Sequence, residues 1–255
     1  MQAQKRVGLA LGGGAVRGFA HLGVIQVLLR ESIPIDYVAG TSVGSLIGAA
    51  YCTGISLEDI FATSKKINWL KIVRPHWGSE GIVSFRGIRT LIDEMFDKPT
   101  FEDLQTPFAV VTTDIEADEG VVISEGSVAP AVEASCSVSG IVAPVEWNGK
   151  RLADGILVNA VPVSVVKEMG AEYVIGVDVF KPLIRPHWGF ISHFINSFEI
   201  VMRHSGGGIK SADCLISPNI GGFTYLRFSK REVLIELGMQ AAESKLPEIK
   251  QAIFS

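Results

Sequence analysis

No apolar run in this 255-residue chain approaches the roughly 18–20 residues that cross a bilayer, so no transmembrane helix is expected. The polar Met1–Arg6 segment leads straight into a strand-like stretch, a pattern that predicts no secretory signal. Cysteine is scarce: Cys52, Cys136 and Cys214 are odd in number, widely spread and without Cys-x-x-Cys spacing. That excludes a disulfide framework and a zinc site and points to thiols in a reducing compartment. A basic surplus is also missing, since 23 Lys+Arg stand against 27 Asp+Glu for a net charge of −4. A dedicated nucleic-acid binder is therefore not expected. Charged residues make up only 20% of the chain and apolar ones 47%, which rules out disorder and a charged coiled coil. No low-complexity linker divides the sequence, so residues 1–255 read as one cytoplasmic globular domain, long enough to bury a core without staples.

What is present is an alternation of short apolar runs with helical stretches, the pattern of a sheet covered by helices. Strands are expected over Arg6–Leu11, Asp36–Ala39, Pro107–Thr113, Gly120–Ser124, Tyr173–Val179 and Asp213–Ile216. Several are almost wholly apolar, as strands buried on both faces must be. Val145–Trp147 and Lys150–Leu152 flank Asn148-Gly149, a type I′ hairpin signal. The helix Gly18–Arg30 is apolar around most of its circumference, which predicts a buried central helix. A final helix starts at Ser229, with a capping-box Glu232, and carries Val233, Leu234, Leu237 and Ala241 on one stripe.

Three motifs carry chemistry. Asp36–Ala39 runs into Gly40-Thr41-Ser42-Val43-Gly44 and then at once into an Ala-rich helical stretch. A Gly-x-Ser-x-Gly between strand and helix is the context of a nucleophile elbow: small flanking residues let strand and helix crowd together and expose the hydroxyl. The following helix dipole favours developing negative charge. Gly12-Gly13-Gly14-Ala15-Val16-Arg17-Gly18 also lies between a strand and a helix. Consecutive glycines let backbone N–H groups converge, either as an oxyanion hole or as a phosphate cradle. The Lys-Ser/Thr ending of a P-loop is absent, and a serine elbow on the neighbouring strand favours the oxyanion reading over nucleotide binding. The third motif, Asp154-Gly155, supplies a carboxylate where the serine still lacks a base.

With these motifs in this order, the sequence resembles the patatin-like phospholipase family, most closely its small bacterial members. Gly13–Gly18 looks like that family's oxyanion loop, Gly40–Gly44 its serine elbow and Asp154-Gly155 its Asp-Gly motif, followed by the similar Asn159-Ala160-Val161-Pro162 stretch. The resemblance runs from Val7 to about Val179 and more loosely to the C-terminal helix. It implies a three-layer α/β/α fold with a mostly parallel central sheet, and a Ser–Asp dyad at adjacent strand ends, about a hydrogen bond apart. Ser42 would attack an ester carbonyl and Asp154 would take its proton and later activate water. The N–H groups of Gly13 and Gly14, helped by the charge of Arg17, would hold the oxyanion. An unperturbed Asp, with a pKa of about 4, is a poor base, so either burial raises its basicity or the oxyanion hole carries most of the catalysis. The expected activity is hydrolysis of a phospholipid, lysophospholipid or related lipid ester, without cofactor or metal, calcium and zinc spacings being absent. Ala15 and Ile156 depart from the family pattern, and Ile156 adds bulk beside the aspartate. Both motivate a second reading, a weakly active lipid-binding or regulatory module.

The histidines offer an alternative. His21, in the central helix, reads as structural, while His193 and His204 follow Asp154 in sequence and would complete a Ser-Asp-His triad of the α/β-hydrolase kind. That fold places several strands before its serine, whereas Ser42 follows only the second. Arg74-Pro-His76-Trp77-Gly78 recurs as Arg185-Pro-His187-Trp188-Gly189, too short to be an architectural repeat. With Lys65, Lys66, Lys71 and Lys181 nearby, these segments suit a lipid-facing rim, peripheral at the inner face of the membrane. Against that stands a core-facing stripe of Phe190, Phe194 and Phe198, the reading preferred here. Ser205-Gly206-Gly207-Gly208 reads as a flexible loop. The sequence sets no oligomeric state.

Overall fold

Apolar strands buried on both faces organise the molecule. The computed structural model describes residues 5–66, 72–78, 81–180, 189–220, 223 and 228–254. The first half contains β1 (Val7–Leu11), α1 (Phe19–Arg30), β2 (Tyr37–Thr41), α2 (Val43–Cys52), α3 (Leu57–Lys66), β3 (Arg74–Gly78), β4 (Gly81–Ser84), α4 (Arg86–Phe96) and β5 (Phe108–Asp114). The second half contains β6 (Glu119–Ile123), α5 (Val128–Ser135), β7 (Val145–Trp147), β8 (Lys150–Asp154), α6 (Val163–Glu168), β9 (Tyr173–Val177), α7 (Gly189–Arg203), α8 (Gly208–Ser211), β10 (Cys214–Ile216) and α9 (Arg231–Phe254).

The main sheet runs β10-β9-β1-β2-β5-β8-β7, with β6 also on β5. Pairings from β10 through β5 are parallel, and those of β5 with β6 and β8, and of β8 with β7, are antiparallel. The register at β5 positions the site. β6 covers Val110–Asp114 on one edge of β5, so the other edge is shared: β2 pairs Phe108–Val111, and β8 takes over at Thr112–Asp114. Parallel β2 and antiparallel β8 therefore meet end to end, Thr41 opposite Val111 and Asp154 opposite Thr112. The expected adjacency of the two strand ends takes this form, a head-on meeting along one edge of β5.

Alternation along β1 divides the layers. Val7, Leu9 and Leu11 join the larger core with α1, α2, α4, α5 and α9, while Ala10, with Ala39 and Ala109, faces the smaller core under α6. The larger layer is two helices deep where α9 covers α1, which explains why α1 is apolar nearly all round. Their crossing is set by glycines: a Cβ on Gly23 would lie 2.0 Å from the Ile235 carbonyl oxygen, and one on Gly238 2.1 Å from that of Ala20. Of the expected stripe, Leu234 joins the core and Leu237 and Ala241 pack half-buried against it, with the buried face centred on Gly238. Leu234, Gly238 and Ala242 face the core, and Val233 is exposed. The helix itself begins at Arg231, after a 3-10 turn over Phe228–Lys230.

The Asn148-Gly149 hairpin forms as expected, with both residues at positive φ (49° and 76°). The β3–β4 ribbon was not expected from sequence, because Arg74-Pro-His-Trp lacks strand alternation. Ser205–Gly207 forms a 3-10 turn joining α7 to α8, in place of the expected flexible loop. Among the described residues no helix is long and apolar enough to cross a membrane.

Candidate active site

The elbow is built by crowding. As β2 ends, Ser42 turns the chain with φ 55° and ψ −127°, a conformation that a non-glycine residue adopts only under constraint. α2 starts at the next residue. A Cβ on Gly44 would lie 2.1 Å from the Leu11 carbonyl oxygen, and one on Gly40 2.5 Å from that of Gly44, so neither position accepts a side chain. The Ser42 N–H donates to Ser135 Oγ (2.8 Å), and that hydroxyl donates to the Val111 carbonyl (2.6 Å). α5 and β5 thereby hold the strained turn.

Asp154 arrives from the opposite direction at the end of β8. Its Oδ2 accepts the Ser42 hydroxyl at 2.7 Å and its Oδ1 accepts the Ile156 N–H at 2.9 Å. Its backbone is fixed as well, the N–H donating to the Ser137 carbonyl (2.8 Å) and the carbonyl accepting Thr113 Oγ1 (2.9 Å). Ser42 is 8% and Asp154 2% exposed. Burial pushes the Asp154 carboxyl up to about 7, while the hydrogen bonds from Ile156 and Ser42 pull it the other way. Desolvation is therefore the dominant influence on this carboxyl. Among the described residues no ion pair holds this carboxylate.

The glycine loop packs onto the serine: a Cβ on Gly13 would lie 3.3 Å from Ser42 Cβ and 3.0 Å from Ile156 Cδ1. The two glycine amides are not equivalent. Gly13 N–H donates to the Ala160 carbonyl (3.1 Å), whereas Gly14 N–H has no acceptor among the described residues. Arg17 is fully buried, and its Nε and Nη2 donate to the Phe223 carbonyl at 3.0 and 2.6 Å. The structure thus brings Gly13 to the serine but ties Arg17 to the C-terminal part of the chain. The first amides of α2, at Val43 and Gly44, lack intrahelical acceptors by helix geometry and begin beside Ser42.

His21 is structural, as expected. Burial pushes its imidazole down to about 4, and Nε2 lies 2.8 Å from the Gly12 carbonyl, so the neutral ring donates there from Nε2. The triad finds no histidine at Asp154: both carboxylate oxygens are held by Ser42 and Ile156, and His193 and His204 are exposed. The cysteines are buried, and burial pushes the thiols of Cys52, Cys136 and Cys214 up.

Ile156 crowds the site as its bulk predicted, packing with Ala160, Phe180 and Met202 of α7 against the glycine loop. The core-facing stripe is corrected at Phe198, which is 49% exposed. Lys181 and Arg185–Trp188 lie outside the described residues, as do Lys71 and the side chains of Trp77, Phe190 and Phe194. Sequence reading missed Ser135 and Ser137, whose partners lie in other motifs and whose own neighbourhood carries no signature.

Residues 9–167 match the family model described as patatin-like phospholipase. An uncharacterized NTE family protein of Mycobacterium bovis is 32% identical over 177 residues, covering 68% of this chain and 49% of that protein. Neuropathy target esterase sws of Drosophila melanogaster is 33% identical over 183 residues, 68% of this chain and 13% of that protein. Lysophospholipase NTE1 of Scheffersomyces stipitis is 31% identical over 183 residues, 69% and 12% respectively. The chain thus spans half or less of the length of these curated relatives. Among solved structures, VipD from Legionella pneumophila superimposes with a TM-score of 0.64 at 13% identity, covering 96% of this chain and 67% of that one. That likeness concerns the fold.

Proposed function

The chain belongs to the patatin-like phospholipase family, and from that membership we propose that it is a serine lipid acyl hydrolase of phospholipase or lysophospholipase type. The observation that carries the proposal is the Ser42 hydroxyl donating at 2.7 Å to a buried carboxylate that titrates near neutrality. A general base with a pKa close to the working pH combines the right protonation state with enough driving force for proton transfer.

Ser42 Oγ attacks the acyl carbonyl carbon as its proton passes to Asp154 Oδ2. The negative charge on the carbonyl oxygen is received by the Gly14 N–H and the N-terminal end of α2. Gly13 joins them only by releasing the Ala160 carbonyl. Arg17 acts by anchoring the loop through Phe223. Collapse of the tetrahedral intermediate breaks the ester C–O bond, and the leaving alcohol takes the proton from Asp154. Water then attacks the acyl-Ser42 ester, again giving a proton to Asp154, and the fatty acid departs as Ser42 recovers its hydrogen. No step calls for a metal or cofactor.

A lipid substrate is supported by the family and by relatives named lysophospholipases. Peripheral contact with a lipid surface is supported by an apolar rim beside the site. Val138 and Ile141 follow Ser137, which holds the Asp154 backbone, and Ile141 bonds Ile82 of β4. Ile82 is 72% and Ile141 55% exposed. Ile82 lies on the same β3–β4 ribbon as Arg74–Gly78, one of the two segments anticipated for such a rim; the other, around Trp188, lies outside the described residues.

The test is fatty-acid release from lysophosphatidylcholine and phosphatidylcholine by wild type, Ser42→Ala and Asp154→Asn. Release by wild type, abolished in Ser42→Ala and reduced at least a hundredfold in Asp154→Asn (on the order of a lost general base), supports the proposal. Lipid binding without release favours the regulatory module that Ile156 suggests.

A further inference from the structure

The Ser205 hydroxyl joins two hydrogen-bonded segments that flank the site. It donates to the Ile156 carbonyl at 2.7 Å and accepts the Ala160 N–H at 3.0 Å. Ile156 in turn donates its N–H to Asp154 Oδ1, and Ala160 presents its carbonyl to the Gly13 N–H. From Ser42 the path runs to Asp154, Ile156, Ser205, Ala160 and Gly13, and Gly13 packs back on Ser42. One side chain, from the turn between α7 and α8, thus bridges the segment that orients the carboxylate and the segment that orients the glycine loop. The turn is built for close approach: a Cβ on Gly208 would lie 1.8 Å from the Val161 carbonyl oxygen. α7 is held to the core from the same end, Arg203 donating to the buried Asp178 carboxylate.

We propose that Ser205 is a positioning residue for ester hydrolysis, fixing Asp154 and the glycine loop in mutual register through residues 156–160. The proposal rests on the reading of Ser42 and Asp154 as nucleophile and base. Without the hydroxyl, the Ile156 carbonyl loses this donor, the Ala160 N–H keeps only its longer bond to the Ser205 carbonyl (3.4 Å), and the 156–160 segment loosens. The Ile156 N–H then supports ionised Asp154 less well, and the base becomes harder to deprotonate. Among the described residues, Asp154 also influences the Cys136 thiol, which burial keeps protonated, so it does not obscure the profile.

The test measures kcat, KM and the pH profile for p-nitrophenyl butyrate on the full chain, as wild type, Ser205→Ala and Ser205→Thr, alongside thermal unfolding. Ser205→Ala should lower kcat about three- to tenfold, the scale of one hydrogen bond, with KM little changed. It should also move the acid limb up by about half a pH unit, and Ser205→Thr should restore both. A Ser205→Ala protein that melts earlier but keeps the wild-type kcat and acid limb overturns the proposal while leaving the dyad standing. A wild type that neither hydrolyses the ester nor is labelled at Ser42 by a fluorophosphonate overturns the dyad and the proposal with it. Should Ser205→Ala fail to fold, Ser205→Cys, with its weaker donor, is judged by the same two readouts.

Discussion

Replacing Asp154 by Asn should stabilise the fold while removing activity, and the stability gain should depend on pH in a defined direction. Asn fits the same space: its carbonyl accepts the Ile156 N–H and its amide donates to Ser42 Oγ, at the cost of the acceptor that the Ser42 hydrogen had in Asp154 Oδ2. The wild-type carboxyl titrates near 3.8 when unfolded and at about 7 when folded. The folded state therefore holds the proton more tightly, so the stability due to neutral Asp154 is fully present below about pH 4 and is lost as pH rises through 7. That displacement is equivalent to at most about 4 kcal/mol by pH 8.5. Urea unfolding of both proteins between pH 4 and 8.5 measures it, and groups common to both cancel in the difference. The difference should widen in favour of Asp154→Asn from about pH 4 to pH 7 and level off above the folded pKa. Parallel curves across this range would refute the claim that a buried, costly carboxylate occupies the site.

Other substitutions probe the parts separately. Ile156→Ala, beside Gly13 and Ser42, should cost about 2–4 kcal/mol in urea unfolding yet raise the kcat/KM ratio of long- to short-chain p-nitrophenyl esters; an unchanged ratio would show that Ile156 does not limit the substrate. Gly44→Ala forces a methyl against the Leu11 carbonyl and should cost about 3 kcal/mol or more, seen as loss of cooperative unfolding or a large fall in Tm. Arg203→Ala leaves the 1%-exposed Asp178 carboxylate without its ion pair and should cost about 3 kcal/mol in the same assay.

Much of the site was legible in the sequence because its chemistry sits at breaks in local pattern. Gly40–Gly44 and Gly12–Gly14 each interrupt an apolar strand before a helix, and Asp154 is an acid at the end of a hairpin strand. The meeting of these pieces came only from the family resemblance, because residue patterns alone do not set how the strands pair. That β2 and β8 share one edge of β5 follows from registers among residues about 40 to 110 positions apart. Ser135, Ser137 and Ser205 were invisible for the same reason: each acts through one hydroxyl or carbonyl on a partner distant in sequence. The Phe223 carbonyl that accepts the Arg17 guanidinium was equally invisible, lying 206 residues away, where a buried guanidinium satisfies donors on available carbonyls. The stripe on α9 held at Leu234, Leu237 and Ala241 and failed only at Val233, because close packing at Gly238 centres the buried face there.

The most direct measurement of the Ser42–Asp154 assignment is the rate of fluorophosphonate labelling as a function of pH, followed by intact mass with the modified residue located by peptide mapping. A single adduct on Ser42, forming at a rate that rises through an apparent pKa of about 7 and absent from Ser42→Ala, is the predicted result. An adduct elsewhere, a rate indifferent to pH between 5 and 9, or a folded protein that takes no label would contradict it.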